Sequence, residues 1–104
     1  MRVPVIRSHS EAITVDFERE ISSEKARQLL EGAPGVKVID DPANNAYSMP
    51  IDSANQDLVY VGRIRKDISA QNSLVFWCSG DQIRKGAATN AIQIAELLRE
   101  YGLI

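Results

Sequence analysis

Apolar and polar residues alternate along several stretches of the chain, and this period of two is the signature of strands. In residues 12–18, AITVDFE, the side chains of Ile13, Val15 and Phe17 alternate with Thr14 and Asp16, which predicts a half-buried strand. Residues 58–68, LVYVGRIRKDI, put Val59, Val61, Arg63 and Arg65 on one side and Leu58, Tyr60, Gly62, Ile64 and Lys66 on the other. Residues 74–78, LVFWC, form the next strand after a short polar turn, so the two should pair as an antiparallel hairpin. Residues 36–39 read as a brief buried strand.

Two stretches change period. After Ser22, a natural cap, Ala26, Leu29 and Leu30 recur at helical spacing, with Glu24 near the positive end. Gly32 is expected to supply a left-handed stop before Pro34. After Asp81, a second cap candidate, Ala87, Ala88, Ala91, Ile92, Ala95, Leu98 and Leu103 mark a longer helix that Gly102 would end. Its alanines are expected to let it lie close against the sheet. Residues 1–11, MRVPVIRSHSE, read as extended chain that continues into residues 12–18 as one long strand kinked near His9. On such a strand Val3, Val5, Arg7 and His9 share a face, and Pro4 takes an edge or first-residue position. Residues 40–56 are rich in Asp, Asn, Pro and Ser, yet Tyr47, Met49 and Ile51 argue against disorder. This loop is expected against a partner surface or the sheet edge. The sum is one α+β domain over 1–104, a mixed or antiparallel sheet of four or five strands covered by helices.

Composition narrows the function. At 104 residues there is room for one modest core but not for a nucleotide-binding domain as well. A formal net charge of −2 lacks the basic excess of a nucleic-acid binder. No apolar run reaches the ~20 residues that span a bilayer, and the first residues lack a signal peptide's build, so a cytoplasmic protein is expected. The single cysteine excludes an internal disulfide, and with one histidine no metal-ligand spacing arises.

The chemistry therefore concentrates in the first eleven residues. A histidine titrates near neutrality, and a guanidinium holds carboxylates or phosphates in a two-pronged grip, so His9 with Arg2 and Arg7 offers an acid/base and an anion clamp. Taken alone, a single histidine or a near-terminal arginine is more often structural or solvated. Cys78 ends an apolar strand, where cysteine acts as a small hydrophobe rather than a nucleophile. Arg63, Arg65 and Lys66, with Arg84 and Lys85, suit a solvated or interface face at least as well as an anion site. Gln82 reads by itself as a polar residue in a first helical turn, and no glycine-rich phosphate loop is present in the sequence.

Three motifs in order, RVPVIRSHSEA, VGRIRKD and GDQIRKGAATNAIQIAELL, resemble the aspartate-semialdehyde dehydrogenase family. The resemblance runs nearly end to end, but those enzymes are considerably longer, so the chain looks like the C-terminal part of their catalytic and dimerisation domain without the nucleotide-binding domain. It implies a fold like part of the glyceraldehyde-3-phosphate-dehydrogenase-like C-terminal domain. The activity implied is NADP-dependent reductive dephosphorylation of 4-phospho-L-aspartate to L-aspartate 4-semialdehyde, which feeds lysine, methionine and threonine synthesis. By the same resemblance His9 is the acid/base, Arg2 pairs with the substrate carboxylate, and Gln82 contacts the nicotinamide of NADP. The family's nucleophilic cysteine belongs to a segment upstream of Arg2, so the isolated chain is expected to be inactive and to form a homo-oligomer. The competing expectation is a non-catalytic self-association module derived from that domain.

Overall fold

A computed structural model describes residues 3–104. Its centre is a four-stranded sheet in the order β1, β6, β5, β2, formed by β1 (His9–Asp16), β2 (Val36–Val38), β5 (Val59–Lys66) and β6 (Ser73–Gly80). The pairs β1–β6 and β6–β5 are antiparallel, and β5–β2 is parallel. The mixed sheet and the 58–68/74–78 hairpin agree with the alternation in the sequence.

The long opening strand is shorter than the periodicity suggests. Residues 3–8 are irregular, and β1 begins only at His9, because Ser8 takes φ +80° and turns the chain out of the extended conformation. Val3, Val5 and Arg7 therefore do not share a strand face with His9, and Pro4 precedes the sheet instead of entering it.

Helix α1 (Ser23–Glu31) starts where Ser22 accepts a hydrogen bond from the Lys25 N–H at 3.1 Å. Gly32 ends it in a right-handed conformation, φ −87°, and the left-handed turn falls three residues later at Gly35, φ +76°. The helix lays Ala26 on Val61, Ile64 and Leu74, which with half-buried Ile21, Leu30, Val36, Val38, Val59, Phe76 and Cys78 form the core.

Strict alternation along β5 would put Val61 and Ile64 on opposite faces, yet both lie in this core. A bulge between Gly62 and Arg65, with Arg63 at φ +56°, inserts the residue that brings Ile64 round. The Asp40 carboxylate fixes the bulge by accepting from the N–H groups of Arg63 at 2.7 Å and Ile64 at 3.3 Å, while the Arg27 fork holds the same carboxylate from α1.

Residues 39–58 cross the other face of the sheet and carry structure of their own. A small hairpin of β3 (Asp40–Asp41) and β4 (Ala46–Tyr47) leads to the single turn α2 (Pro50–Ser53). Small residues make the contact close: the Ser79 hydroxyl donates to the Met49 carbonyl at 3.3 Å, and Ser48 lies against Gly62. Ser8, Ser10, Ser48, Ser53 and Ser79 are all buried on this side. The loop thus covers a sheet face, where the sequence suggested a partner surface or an edge.

After β6 the chain winds through a π-helical turn, Arg84–Ala88, into α3 (Thr89–Glu100), closed by Gly102 at φ +66°. This helix does not lie on the sheet. None of its residues is buried, with Ile92 61% and Leu97 49% exposed, and among the described residues its main neighbour is the turn before it.

Candidate active site

Antiparallel partners share a sheet face, so the β1–β6 register decides what surrounds the histidine. His9 stands opposite Gly80 and Glu11 opposite Cys78, on the face that α1 covers farther along at Leu74 and Phe76. Beyond the reach of α1 this face is open. His9, Glu11, Cys78, Gln82, Lys85 and Asn90 line a cleft of about 520 Å³ there, walled by the end of β6 and the start of the helical segment. Gly80 itself puts no side chain opposite the imidazole, and a Cβ there would stand 3.8 Å from a Val59 methyl.

Asp81 organises the wall. Its side chain is wholly buried, 0% exposed, and its Oδ1 accepts from the Ile83 and Arg84 N–H groups at 2.9 and 3.0 Å, the cap expected from the sequence. Oδ2 accepts from the Asn55 N–H at 2.7 Å and from both Nε and a terminal nitrogen of Arg7, at 3.1 and 2.9 Å. Burial pushes this carboxyl up, but the Arg84, Asn55 and Ile83 N–H groups and the Arg7 guanidinium outweigh it and bring it down to about 2.

Gln82 also turns toward the segment before His9. Its Oε1 accepts from the Ser8 N–H at 2.6 Å, and its Nε2 donates to the Ile6 carbonyl at 3.4 Å. An amide can make four hydrogen bonds, so one acceptor and one donor position remain for a ligand. Lys85 donates to Gln93 Oε1 at 2.6 Å and to Asn90 Oδ1 at 3.3 Å, which places an ammonium among amide oxygens at the cleft wall.

Cys78 is half-buried in the same cleft. Burial, and after it the Glu11 charge, push its thiol up, which keeps it protonated and is the opposite of what a nucleophile needs. Arg63 and Arg65 lie elsewhere: the Arg63 guanidinium sits 5.5 Å from the Tyr47 ring centre, and Arg65 donates to the Arg63 carbonyl. Arg84 pairs with Asp57 and Lys66 with Glu20, so the basic residues do not converge on one anion site. Among the described residues no cluster of His, Cys, Asp or Glu could hold a metal ion. Arg2, the expected carboxylate clamp, lies outside the described residues. The sequence left Arg7 open between a charge pair that orients the site and a surface role, and could not name Asp81 as its partner, 74 residues away.

The profile of the semialdehyde dehydrogenase dimerisation domain matches residues 1–85, most of the chain and all of β1 to the start of the helical wall. The chain belongs to this family. It is 57% identical to the aspartate-semialdehyde dehydrogenase of Aquifex aeolicus over 104 residues, all of this chain and 31% of that protein. Identity to the Synechocystis enzyme of the same name is 54% over 102 residues, 98% of this chain and 30% of the relative. The crystal structure of Vibrio cholerae aspartate semialdehyde dehydrogenase II complexed with ASA superposes with a TM-score of 0.86 and 39% identity, over 95% of this chain and 29% of that one. The Francisella tularensis aspartate semialdehyde dehydrogenase gives a TM-score of 0.78 at 30% identity, over 94% and 28%. This dimerisation-domain chain thus spans less than a third of the length of these relatives, and its resemblance to them covers His9, the β5 motif and the helical wall together.

Proposed function

We propose that the chain is the C-terminal part of the catalytic and dimerisation domain of an aspartate-semialdehyde dehydrogenase and supplies its acid/base and substrate-carboxylate groups. The observation that carries this reading is His9 at the head of β1, exposed on an open cleft, in a chain 57% identical over its whole length to a protein of that name. The reaction is reductive dephosphorylation of 4-phospho-L-aspartate to L-aspartate 4-semialdehyde in cytoplasmic lysine, methionine and threonine synthesis.

His9 takes the proton from a cysteine thiol, supplied by sequence other than these residues, as the sulfur attacks the acyl phosphate and phosphate leaves. After reduction of the resulting thioester it returns that proton to the sulfur as the thiohemiacetal alkoxide collapses to aldehyde. Arg2 grips the substrate carboxylate in a fork that also fixes its orientation. NADP, when bound, supplies the hydride chemistry. Gln82 fits its nicotinamide carboxamide through the donor and the acceptor that Ser8 and Ile6 leave open, whereas no glycine-rich turn for its phosphates lies in this sequence. Without nucleophile or nucleotide-binding domain, the 104-residue chain alone is inactive.

The test is semialdehyde oxidation with NADP and phosphate in the native-length protein. His9→Asn lowers kcat by roughly 10²- to 10⁴-fold, the usual contribution of a positioned acid/base. Unchanged turnover in that variant would overturn the reading. A second reading, a homo-oligomeric association module, is favoured by the exposed apolar face of α3 and is tested by mass against concentration.

A further inference from the structure

Residues 3–8 run up to His9 with no sheet partner, yet their last residue is one of the most tightly held in the molecule. Ser8 is buried and takes φ +80°, a conformation that a residue with a Cβ keeps only when its surroundings enforce it. Four contacts do so. The Ser8 N–H donates to Gln82, its hydroxyl bonds the Ser53 hydroxyl, the Ile6 carbonyl accepts from Gln82, and Arg7 places two N–H bonds on Asp81 Oδ2.

The geometry points to Arg7 and Asp81 as a positioning pair that holds the backbone entering His9 and so sets where the imidazole stands in the cleft. The inference rests on the catalytic reading of His9 given above and deepens it. From His9 onward the backbone is fixed by pairing with β6, beginning at Gly80. Before His9 nothing regular fixes it, and the Arg7 fork and the Gln82 amide take that place. Asp81 suits the task because its own position is over-determined. The Ile83 and Arg84 N–H groups hold it from the helical wall and the Asn55 N–H from just beyond α2, so Arg7 is anchored to two segments at once. A surface ion pair would have no such reach: Arg7 is half-buried and its partner wholly so. Arg7 itself need touch neither substrate nor cofactor.

Arg7→Ala and Arg7→Lys in the native-length protein test this, with Lys66→Ala as control, since Lys66 lies at the opposite end of β5. In Arg7→Ala, kcat falls about tenfold while KM for each substrate stays within about twofold, as displacement of a catalytic group without loss of ground-state binding requires. Amide exchange at Ser8 accelerates, and the His9 imidazole NMR signals shift. Arg7→Lys recovers only part of each effect, because an ammonium cannot reproduce the fork. It carries the same readings should the alanine variant not fold. Lys66→Ala leaves all three unchanged. Unaltered Ser8 exchange and His9 signals in both Arg7 variants would overturn the inference while normal turnover kept the proposed function standing, as would a rise in KM with kcat unchanged. Conversely, a native protein without dehydrogenase turnover, in which Arg7→Ala still frees Ser8 and shifts His9, would sink the proposed function and support the positioning role.

Discussion

Asp40 and Asp81 solve the same problem at two ends of the sheet. Each carboxylate accepts from backbone N–H groups that the regular ladder leaves unpaired, and each is completed by one arginine fork, Arg27 or Arg7. For Asp81 this has a pH consequence. Its folded-state carboxyl lies at about 2 against an ordinary 3.8, so its stabilising contribution is complete above the ordinary value and is lost as pH falls through about 2. Asp57, brought to about 2 by hydrogen bonds from Arg84 and Thr89, acts in the same direction. The urea midpoint is therefore expected to fall between about pH 4 and pH 2, and to fall less steeply in Asp81→Asn. A midpoint rising on acidification would contradict this. The cap role of Asp81 was legible because capping is local, whereas its hold on Arg7, and that of Asp40 on Arg27, join residues distant in sequence.

Gly62 shows how an element can depend on one missing atom. A Cβ there would collide with the Ile39 carbonyl oxygen and crowd the Ser48 nitrogen at 3.1 Å, because residues 39–58 cross the sheet directly over β5. Gly62→Ala must therefore part the crossing loop from the strand or distort the bulge, at roughly 3 kcal/mol, the upper part of the usual overpacking range. Urea unfolding measures it, and a loss below about 0.5 kcal/mol, the level of an ordinary surface substitution, would show that the loop yields freely. Helix α1 and strands β5 and β6 could be read from periodicity and capping. The crossing loop could not, since serines that pack closely against a sheet look, in sequence, like serines exposed to water. The bulge was hidden for a related reason: it is the interruption of the alternation used to find the strand. Helix α3 was legible as a helix, but its expected seat on the sheet was not, because an apolar stripe says that something covers it and not what.

The molecule as a whole is open. The radius of gyration of 15.1 Å exceeds the ~13 Å expected of a compact domain near this length, and few apolar residues are buried beside the many left exposed along α3 and the 47–51 segment. A chain with this surface, prepared alone, is expected to self-associate, with an apparent mass by light scattering that rises with concentration. A constant monomer mass up to high concentration would count against both the association reading and the dimerisation role. The fold class was legible at this scale because alternation and helical spacing are summed over whole elements. The openness was not, because composition describes what a chain could bury and not what it buries. One further consequence follows from the pairing of β1 with β6. During synthesis β1 leaves the ribosome first, while its sheet neighbour, some sixty residues behind at ~5–20 residues per second, follows only seconds later. Over that interval the strand lacks the partner it has in the folded sheet. The histidine cleft, which needs both strands, closes only once β6 has been made, so the nascent chain carries the groups that line it unassembled until then.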